Sequence, residues 1–270
     1  PFAVWFLLRG DPVIAGMERL LDLNDPTPAG LAYLNLTLAS AIPVTWLLVR
    51  ALHGVRPRWL ASVRPRIRWG WFATCLGLSV LALVLTLVVS SLLPAVDQGT
   101  PISGDLNELT PTLRDFLLVV LLLTPLQAAG EEYAFRGYLT QAFGGIVRHP
   151  LPAVLGPAFL FALAHGAQSA PVFVDRFAFG VLAGVLVILT GGLEAGIAMH
   201  MLNNWLAFGM ALAFGDMASA LNPTGGSWWS LPVTLTQSLG YLALVLWVAR
   251  RRGLGTTTPQ GELVPFRGRV

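Results

Sequence analysis

The sequence predicts an all-α protein, a polytopic transmembrane helical bundle with about seven spans. Of its 270 residues, 55% are hydrophobic and 11% are charged, whereas soluble domains carry about 25% charged residues. The mean hydropathy is +0.68. Uncharged apolar stretches recur at about the 20-residue length of a membrane-crossing helix, and they lack the period-2 alternation of strands. The composition therefore indicates an integral, multi-pass membrane protein.

The apolar stretches give the spans in order along the chain. The predicted spans are residues 29–50, 71–95, 113–142, 150–166, 172–190, 192–213 and 231–249. Residues 1–24 are interpreted as the remnant of an earlier span or as an interfacial helix. Because the chain begins with Pro1, we expect a trimmed or incomplete N-terminus, and no signal peptide is recognisable.

The same pattern predicts four segments. They are N-terminal spans with a basic loop (1–109), a helical core that carries the candidate site (110–215), an outer loop with the last span (216–252), and a polar, disordered cytoplasmic tail (253–270).

Arginine residues set the predicted orientation, since all 17 basic residues are Arg. The first loop holds Arg50, Arg56, Arg58, Arg64, Arg66 and Arg68, so the positive-inside rule makes it cytoplasmic. Each later span reverses the side. The result is an acidic outer loop and an inner C-terminal end, with Asp97, Asp105 and Glu108 outside and Arg148, Arg250, Arg251 and Arg252 inside.

The net charge indicates which partners the protein can bind, and the single cysteine can be interpreted from its surroundings. The formal net charge of +3 resides in arginines at helix ends, which membrane topology explains, so we expect lipid as a partner and no nucleic acid. The single cysteine, Cys75, lies in an apolar run and is predicted to be an inert buried thiol. We expect a bacterial plasma membrane, and the sequence leaves the oligomeric state open.

Polar residues inside the apolar spans are the candidates for function, because ionisable groups at bilayer depth are costly. Glu131 lies roughly 16 Å from the predicted cytoplasmic end of its span, His165 roughly 22 Å and His200 roughly 13 Å, at 1.5 Å per residue. All three depths fall inside a hydrocarbon layer of about 30 Å, which predicts one shared polar site. The full set is Glu131, Glu132, Arg136, His165, Glu194, His200, Asn203 and Asn204.

Helical spacing adds detail to this site. Glu132 and Arg136 are i, i+4 neighbours that can form an ion pair, while Glu131 lies about 100° round the helix and stays available. His200 and Asn204 are also i, i+4 neighbours on one face. Phe161 stands one turn before His165 and is expected to wall the site with an apolar ring.

These residue types suit hydrolysis of an amide. A buried carboxylate can act as the general base for water, and His or Asn donors can stabilise an oxyanion. Glu131, His165 and His200 also form a possible ligand set for catalytic zinc, so a zinc mechanism and a metal-free glutamate mechanism both stay open. The HExxH, GxSxG and GxGD signatures of other intramembrane proteases are absent from the sequence.

Three short motifs carry a resemblance to a known family. They are "EEYAFRG" (EExxxR), "FALAH" (FxxxH) and "HMLNN" (HxxxN), in this order and about 35 residues apart. This arrangement resembles the CPBP family of intramembrane proteases, which includes type II CAAX prenyl endopeptidases and bacterial Abi-type proteins. The resemblance covers roughly residues 110–215 and leaves the first two spans without a motif.

The resemblance implies roles for the motif residues. It implies that Glu131 and His165 activate water and that His200 and Asn204 stabilise the oxyanion. Glu132 and Arg136 would then support the geometry. Because family members have been described as metalloproteases, the resemblance leaves the zinc question open.

The combined prediction is an intramembrane endopeptidase that cuts a peptide or lipidated peptide near the cytoplasmic side. The alternative is a non-catalytic peptide-binding or bacteriocin-immunity protein of the same fold. A proton-coupled transporter would show repeated halves, which the sequence lacks. Outside the motifs, Glu194 is expected at the cytoplasmic mouth of its span, and the neighbours Asp175 and Arg176 at the interface.

Overall fold

The computed structural model describes residues 2–92, 104–147, 149–166, 168–223 and 226–258. Within these ranges the chain is helical, and its only β-type pairing is an isolated bridge between Ser62 and Gly192. The helices are α1 (Phe2–Arg9), α2 (Val13–Leu21), α3 (Pro28–Ala39), α4 (Ala41–Leu52), α5 (Trp69–Leu92), α6 (Pro111–Glu132), α7 (Thr140–Val147), α8 (Pro150–Leu163), α9 (Ala170–Thr190), α10 (Glu194–Phe214), α11 (Met217–Leu221) and α12 (Ser230–Arg251). A 3₁₀ turn spans Pro57–Leu60, and a π-helical segment, Tyr133–Leu139, joins α6 to α7.

The predicted all-α transmembrane bundle is confirmed. Among the described residues six helical segments are long and apolar enough to cross a membrane. They are Pro28–Leu52, Trp69–Val89, Pro111–Val147, Ala170–Thr190, Glu194–Phe214 and Leu231–Arg251. The remaining predicted span, 150–166, corresponds to α8, an apolar helix of 14 residues, which is shorter than the ~20 residues needed to cross alone.

The first predicted span consists of two helices that meet at Ser40. Pro43 lacks the N–H that would bond to the carbonyl of Ala39, so the regular helical ladder is interrupted here. The Ser40 N–H completes the last turn of α3 by bonding to the carbonyls of Leu36 and Thr37. Gly130 packs against this junction, because a Cβ at position 130 would collide with the Leu38 carbonyl oxygen and the Ala39 Cα.

The outward surfaces of the helices are apolar. On α5, Leu81 and Val84 are 57% and 53% exposed, and on α6 Leu122 is 66% exposed. Contiguous apolar surface of this kind needs a non-aqueous neighbour, so these faces suit the interior of a membrane. The interior is packed around Tyr241, whose hydroxyl donates to the Ala195 carbonyl at 2.9 Å and links α12 to α10. Cys75 is fully buried in the same cluster.

The two ends of the bundle differ in charge. We call the end that carries the α4–α5 loop (53–68) and the C-terminus of α12 the arginine end. It contains Arg56, Arg58, Arg64, Arg66, Arg68, Arg250 and Arg251. The opposite end carries residues 104–110, 164–166, 168–169, 222–223 and 226–229, and its charges are mostly acidic. The charged residues there include Asp105, Glu108, Asp115 and Asp216.

The N-terminal residues form two short helices, α1 and α2, of 8 and 9 residues. They pack on each other through Gly16, where a Cβ would lie 2.8 Å from the Phe6 ring. Neither helix is long enough to span. Asp97, Arg148 and most of the predicted disordered tail lie outside the described residues.

A buried ion pair closes the arginine end. Arg68 donates from Nε and Nη2 to the two carboxylate oxygens of Glu194 at 2.9 and 2.7 Å, and its backbone N–H adds a third bond at 2.8 Å. Glu194 is fully buried. Backbone bonds Val63 N–H to Gly191 O and Leu193 N–H to Ala61 O, both 2.9 Å, hold the loop against the α9–α10 turn.

We predict that Glu194→Gln lowers the free energy of unfolding, because it leaves the Arg68 guanidinium buried without its counter-charge. Losing one partner of a buried pair typically costs about 3–5 kcal/mol. The measurement is thermal unfolding of the detergent-purified protein. Arg66→Gln is the control, since Arg66 is exposed on the same loop, and it should melt with the wild type. Equal melting of Glu194→Gln and wild type would show that the pair does not stabilise the fold.

Candidate active site

The EExxxR motif lies where the helix changes its winding. Glu131 and Glu132 end α6, and Arg136 lies in the π-helical segment that follows. The wide π-helical turn is shown by the hydrogen bond from the Thr140 N–H to the carbonyl of Phe135, five residues earlier. Short π segments are frequent at functional sites. Here the segment sits within a continuous 37-residue helical stretch, Pro111–Val147.

Glu132 is the centre of a buried charge network. Its Oε1 accepts from Arg136 Nη1 at 3.0 Å and from His200 Nδ1 at 2.9 Å. The carboxylate is fully buried and Arg136 is 1% exposed. The predicted i, i+4 pair of Glu132 and Arg136 therefore forms, and it is joined by a histidine from α10. Within the described residues Glu132 Oε2 and Arg136 Nη2 have no hydrogen-bond partner.

Glu131 approaches the same imidazole from the other side. Its Oε2 lies 3.2 Å from His200 Nε2, without the alignment of a hydrogen bond, and has no hydrogen-bond partner in the described part of the chain. His200 is thus held between two carboxylates. When both ring nitrogens carry protons, the group of Glu131, Glu132, Arg136 and His200 has zero net charge, which reduces the cost of burying it.

Aromatic rings separate this network from its surroundings. The Arg136 guanidinium carbon lies 4.3 Å from the Phe161 ring centre, within the range of a cation–π contact. The Phe161 ring also packs edge-on against His200, at 5.9 Å, and His165, at 4.7 Å between centroids. Phe179 contacts His200 at 5.2 Å. The Phe161 ring therefore contacts Arg136, His165 and His200.

His165 contacts the same Phe161 ring. It follows the end of α8, and its Nδ1 lies 2.8 Å from the carbonyl oxygen of Phe161, one turn earlier. The side chain lines a cavity of about 700 Å³ that also contains Gln168 and Arg176. The structure brings His165 into ring contact with Phe161 and does not place it in hydrogen-bond contact with Glu131 or His200.

Asn204 continues the contact between α6 and α10. Its Nδ2 donates to Gln127 Oε1 at 2.9 Å. Gln127 precedes Glu131 by four residues, as His200 precedes Asn204, so the two helices present two successive polar pairs. Sequence reasoning missed Gln127, although its i, i+4 relation to Glu131 is visible in "LQAAGE". Asn203 has no side-chain hydrogen bond within the described residues.

Gly196 was also missed and has a steric role. A Cβ at this position would lie 2.8 Å from Glu132 Oε2, a separation too short for carbon and oxygen atoms. Gly196 lies one turn before His200 on α10. The absence of a side chain here lets the Glu132 carboxylate reach His200, and no sequence motif marks that requirement.

The charged residues outside the motifs have separate environments. Glu194 does lie at the arginine end, as expected, but as a buried partner of Arg68. Arg176 donates from Nη1 to Gln168 Oε1 at 2.8 Å, and Gln168 Nε2 donates to the Ala162 carbonyl at 2.7 Å. Asp175 Oδ1 has no hydrogen-bond partner within the described residues. Within the described residues, neither the Arg68–Glu194 pair nor the Arg176–Gln168 pair forms a hydrogen bond with the Glu131–His200 group.

The described residues show no group of three or more His, Cys, Asp or Glu side chains placed to hold a metal ion. In the predicted ligand set, Glu131 Oε2 and His200 Nε2 lie 3.2 Å apart, whereas His165 bonds to the Phe161 carbonyl. As described, Glu131, His165 and His200 do not form such a group.

Fold and site together define a class: a polytopic α-helical membrane protein with a Glu–His–Arg network enclosed among its spans. Comparison with known proteins narrows the class. Residues 113–206 match the Rce1-like family, described as type II CAAX prenyl endopeptidase Rce1-like. That segment contains every motif residue from Glu131 to Asn204 and confirms the resemblance inferred from the motifs.

The chain is also similar to a bacterial protein over most of its length. It is 26% identical over 262 residues to the uncharacterized protein YyaK of Bacillus subtilis (strain 168), covering 93% of this chain and 85% of the relative. No solved structure matches the chain.

We predict that Gly196→Ala displaces the Glu132 carboxylate and weakens its bonds to Arg136 and His200. The variant should have a lower melting temperature than wild type, by the equivalent of about 1–3 kcal/mol for overpacking a buried site. Thermal unfolding in detergent measures the effect. Gly209→Ala is the matched control on the same helix, because a Cβ there meets nothing within 4 Å. Identical melting of the two variants would contradict the steric role.

Proposed function

We propose that this protein is an intramembrane endopeptidase, similar in class to the type II CAAX prenyl endopeptidases, and that it hydrolyses a peptide bond with water activated by Glu131. The observation that carries the proposal is the Glu131 carboxylate at the edge of the buried network. Its Oε2 has no hydrogen-bond partner in the described part of the chain and faces His200 Nε2 at 3.2 Å. Glu132 Oε2 has no such partner either, but Glu132 is held through its Oε1 by both Arg136 and His200.

The first proposed step uses Glu131 as the general base. A carboxylate oxygen accepts the hydrogen bond of a water and takes its proton as the water oxygen bonds to the carbonyl carbon. The carbonyl π electrons move onto its oxygen and give a tetrahedral oxyanion. His165, which packs on the Phe161 ring next to the network, is proposed to orient the attacking water.

The oxyanion needs hydrogen-bond donors in a site shielded from bulk water. His200 and Asn204 are the proposed donors. Protonation of Glu131 weakens its attraction for the His200 Nε2 proton, which frees that proton to bond to the oxyanion. Glu132 keeps the Nδ1 side of the ring bonded at 2.9 Å and so fixes the orientation of the imidazole.

Collapse of the intermediate completes the hydrolysis. The C–O bond reforms as a carbonyl, the C–N bond breaks, and the proton held by Glu131 passes to the leaving nitrogen. The products are a carboxylic acid and an amine, which together contain the atoms of the peptide and one water. Arg136 takes no part in this exchange and stabilises Glu132 throughout.

We predict that Glu131→Gln abolishes cleavage and leaves the fold intact, because the amide cannot accept the proton. A general base typically contributes a factor of about 10²–10⁴ to the rate. The assay is cleavage of a quenched-fluorescent peptide library, including prenylated peptides, by protein in nanodiscs. The variant should fold and should melt at a higher temperature than Glu132→Gln, because Arg136 and His200 keep their bonds to Glu132.

Glu132→Gln is the matched comparison, since the same substitution at the adjacent residue removes the counter-charge of Arg136 and His200. It should lower the melting temperature as well as the rate. Equal melting of the two variants would contradict the division of roles. No wild-type cleavage of any library peptide would overturn the protease proposal in favour of a non-catalytic peptide-binding or bacteriocin-immunity protein.

We predict that chelators leave cleavage unchanged, because Glu131, His165 and His200 are not gathered as one ligand set. The test compares initial rates before and after incubation with EDTA or 1,10-phenanthroline, followed by dialysis. Metal content of the purified protein, measured by mass spectrometry, is the independent readout. Loss of activity that added zinc restores would establish a metalloprotease mechanism instead.

A further inference from the structure

A second polar contact joins α6 to α10 one helical turn from the charge network. Gln127 Oε1 accepts a hydrogen bond from Asn204 Nδ2 at 2.9 Å. Gln127 precedes Glu131 by four residues and Asn204 follows His200 by four, so the two helices run antiparallel and the two pairs lie at successive turns. Gln127 is 8% exposed, and its amide oxygen therefore takes its partner from the protein.

This contact determines which end of the Asn204 amide faces Gln127. An asparagine side chain has a carbonyl oxygen that only accepts and an NH₂ group that donates two hydrogen bonds. One N–H of Asn204 is given to Gln127 Oε1. Turning the Asn204 amide over would place its Oδ1 against Gln127 Oε1, and two acceptors repel each other. The second N–H on Nδ2 is the donor that the proposed mechanism needs for the oxyanion.

The position of α10 does not depend on Gln127. Trp205, the residue after Asn204, donates from Nε1 to the Val120 carbonyl on α6 at 3.0 Å. The charge network joins the same two helices one turn away. Loss of the Gln127 oxygen should therefore leave the helices in register and free the Asn204 amide to rotate about its terminal torsion, which has a broad energy profile.

We infer that Gln127 is a positioning residue for hydrolysis. It acts through Asn204, whose amide it orients so that an N–H is available to the oxyanion. The inference rests on the proposed function and adds to it a residue that lies outside the EExxxR, FxxxH and HxxxN motifs.

Gln127→Met tests the role, because it removes the amide oxygen and keeps the length of the side chain. The oxyanion forms only after attack on the carbonyl, so poorer orientation of Asn204 should lower kcat and leave KM nearly unchanged. We expect a loss in kcat of about 10–100-fold, below the loss of about 10²–10³-fold that is typical when an oxyanion donor is removed. Asn204→Ala should show the larger loss. The substrate is the quenched-fluorescent peptide that wild type cleaves best in nanodiscs.

Gln127→Ala is a second variant without the oxygen. It should lower kcat in the same way, which guards against a packing effect of the methionine.

Thr124→Val is the matched control for a merely structural role. Thr124 lies three residues before Gln127 on α6, is fully buried, and accepts from Asn35 Nδ2 on α3 at 3.2 Å. The substitution removes a buried hydrogen bond between helices, as Gln127→Met does, but away from Asn204. It should lower the melting temperature and leave kcat at the wild-type value. An equal fall in kcat in Thr124→Val and Gln127→Met would overturn the inference.

A double-mutant cycle separates action through Asn204 from an independent effect. If Gln127 acts by orienting Asn204, Gln127→Met should cause no further loss of kcat in the Asn204→Ala background. The same fold loss in both backgrounds would overturn the inference.

NMR of the side-chain amides gives a readout that does not need catalysis. Protein labelled with isotopic asparagine should give an NH₂ signal for Asn204, identified by its loss in Asn204→Ala. We expect the hydrogen-bonded proton of this group to shift in Gln127→Met and to keep its wild-type frequency in Thr124→Val. An unchanged signal in Gln127→Met would overturn the contact on which the inference depends.

Two combined outcomes distinguish this inference from the proposed function. A changed Asn204 signal with undiminished kcat in Gln127→Met would keep the protease and overturn the positioning role. A changed signal in a protein whose wild type cleaves no peptide would support the contact and overturn the protease.

Discussion

The structure of the site depends on the shared hydrogen bonds of one carboxylate oxygen. Glu132 Oε1 accepts from Arg136 in the π-helical segment and from His200 on α10, so it ties two spans together at membrane depth. Buried charges are expensive unless each is paired. His200 on α10 pairs with Glu132 on α6, so the arrangement holds only when these two helices keep their register. The same bonds therefore fix both the fold and the geometry of the candidate site.

Close helix packing makes this pairing possible. At Gly196 the missing side chain leaves room for the Glu132 carboxylate, and at Gly130 it lets α6 approach the junction of α3 and α4. Both glycines lie within six residues of a charged group of the network. Small residues at these positions allow the backbones to approach, as is common in membrane helix interfaces, and the polar side chains then reach each other without distortion.

The spans and the pair of Glu132 and Arg136 could be predicted from the sequence, because each depends on residues that are close together along the chain. Hydropathy located the spans because the bilayer fixes their length, and i, i+4 spacing identified the pair of Glu132 and Arg136. The π-helical segment, Gln127 and the Arg68 partner of Glu194 depend on contacts between residues distant along the chain. Arg68 lies 126 positions from Glu194, and neither neighbouring sequence indicates that they meet.

The two adjacent glutamates show how one helix can assign different roles to identical side chains. A helical step of about 100° turns Glu132 toward Arg136 and Gly196, where both charge and space are satisfied by protein. The same step leaves Glu131 at the edge of the network, in contact with one imidazole and with an oxygen still able to accept a proton. His200 is therefore held by Glu132 at Nδ1 and faced by Glu131 at Nε2. The motif supplies the ionisable groups, and the packing of α6 against α10 determines which carboxylate is paired and which is left at the edge of the network.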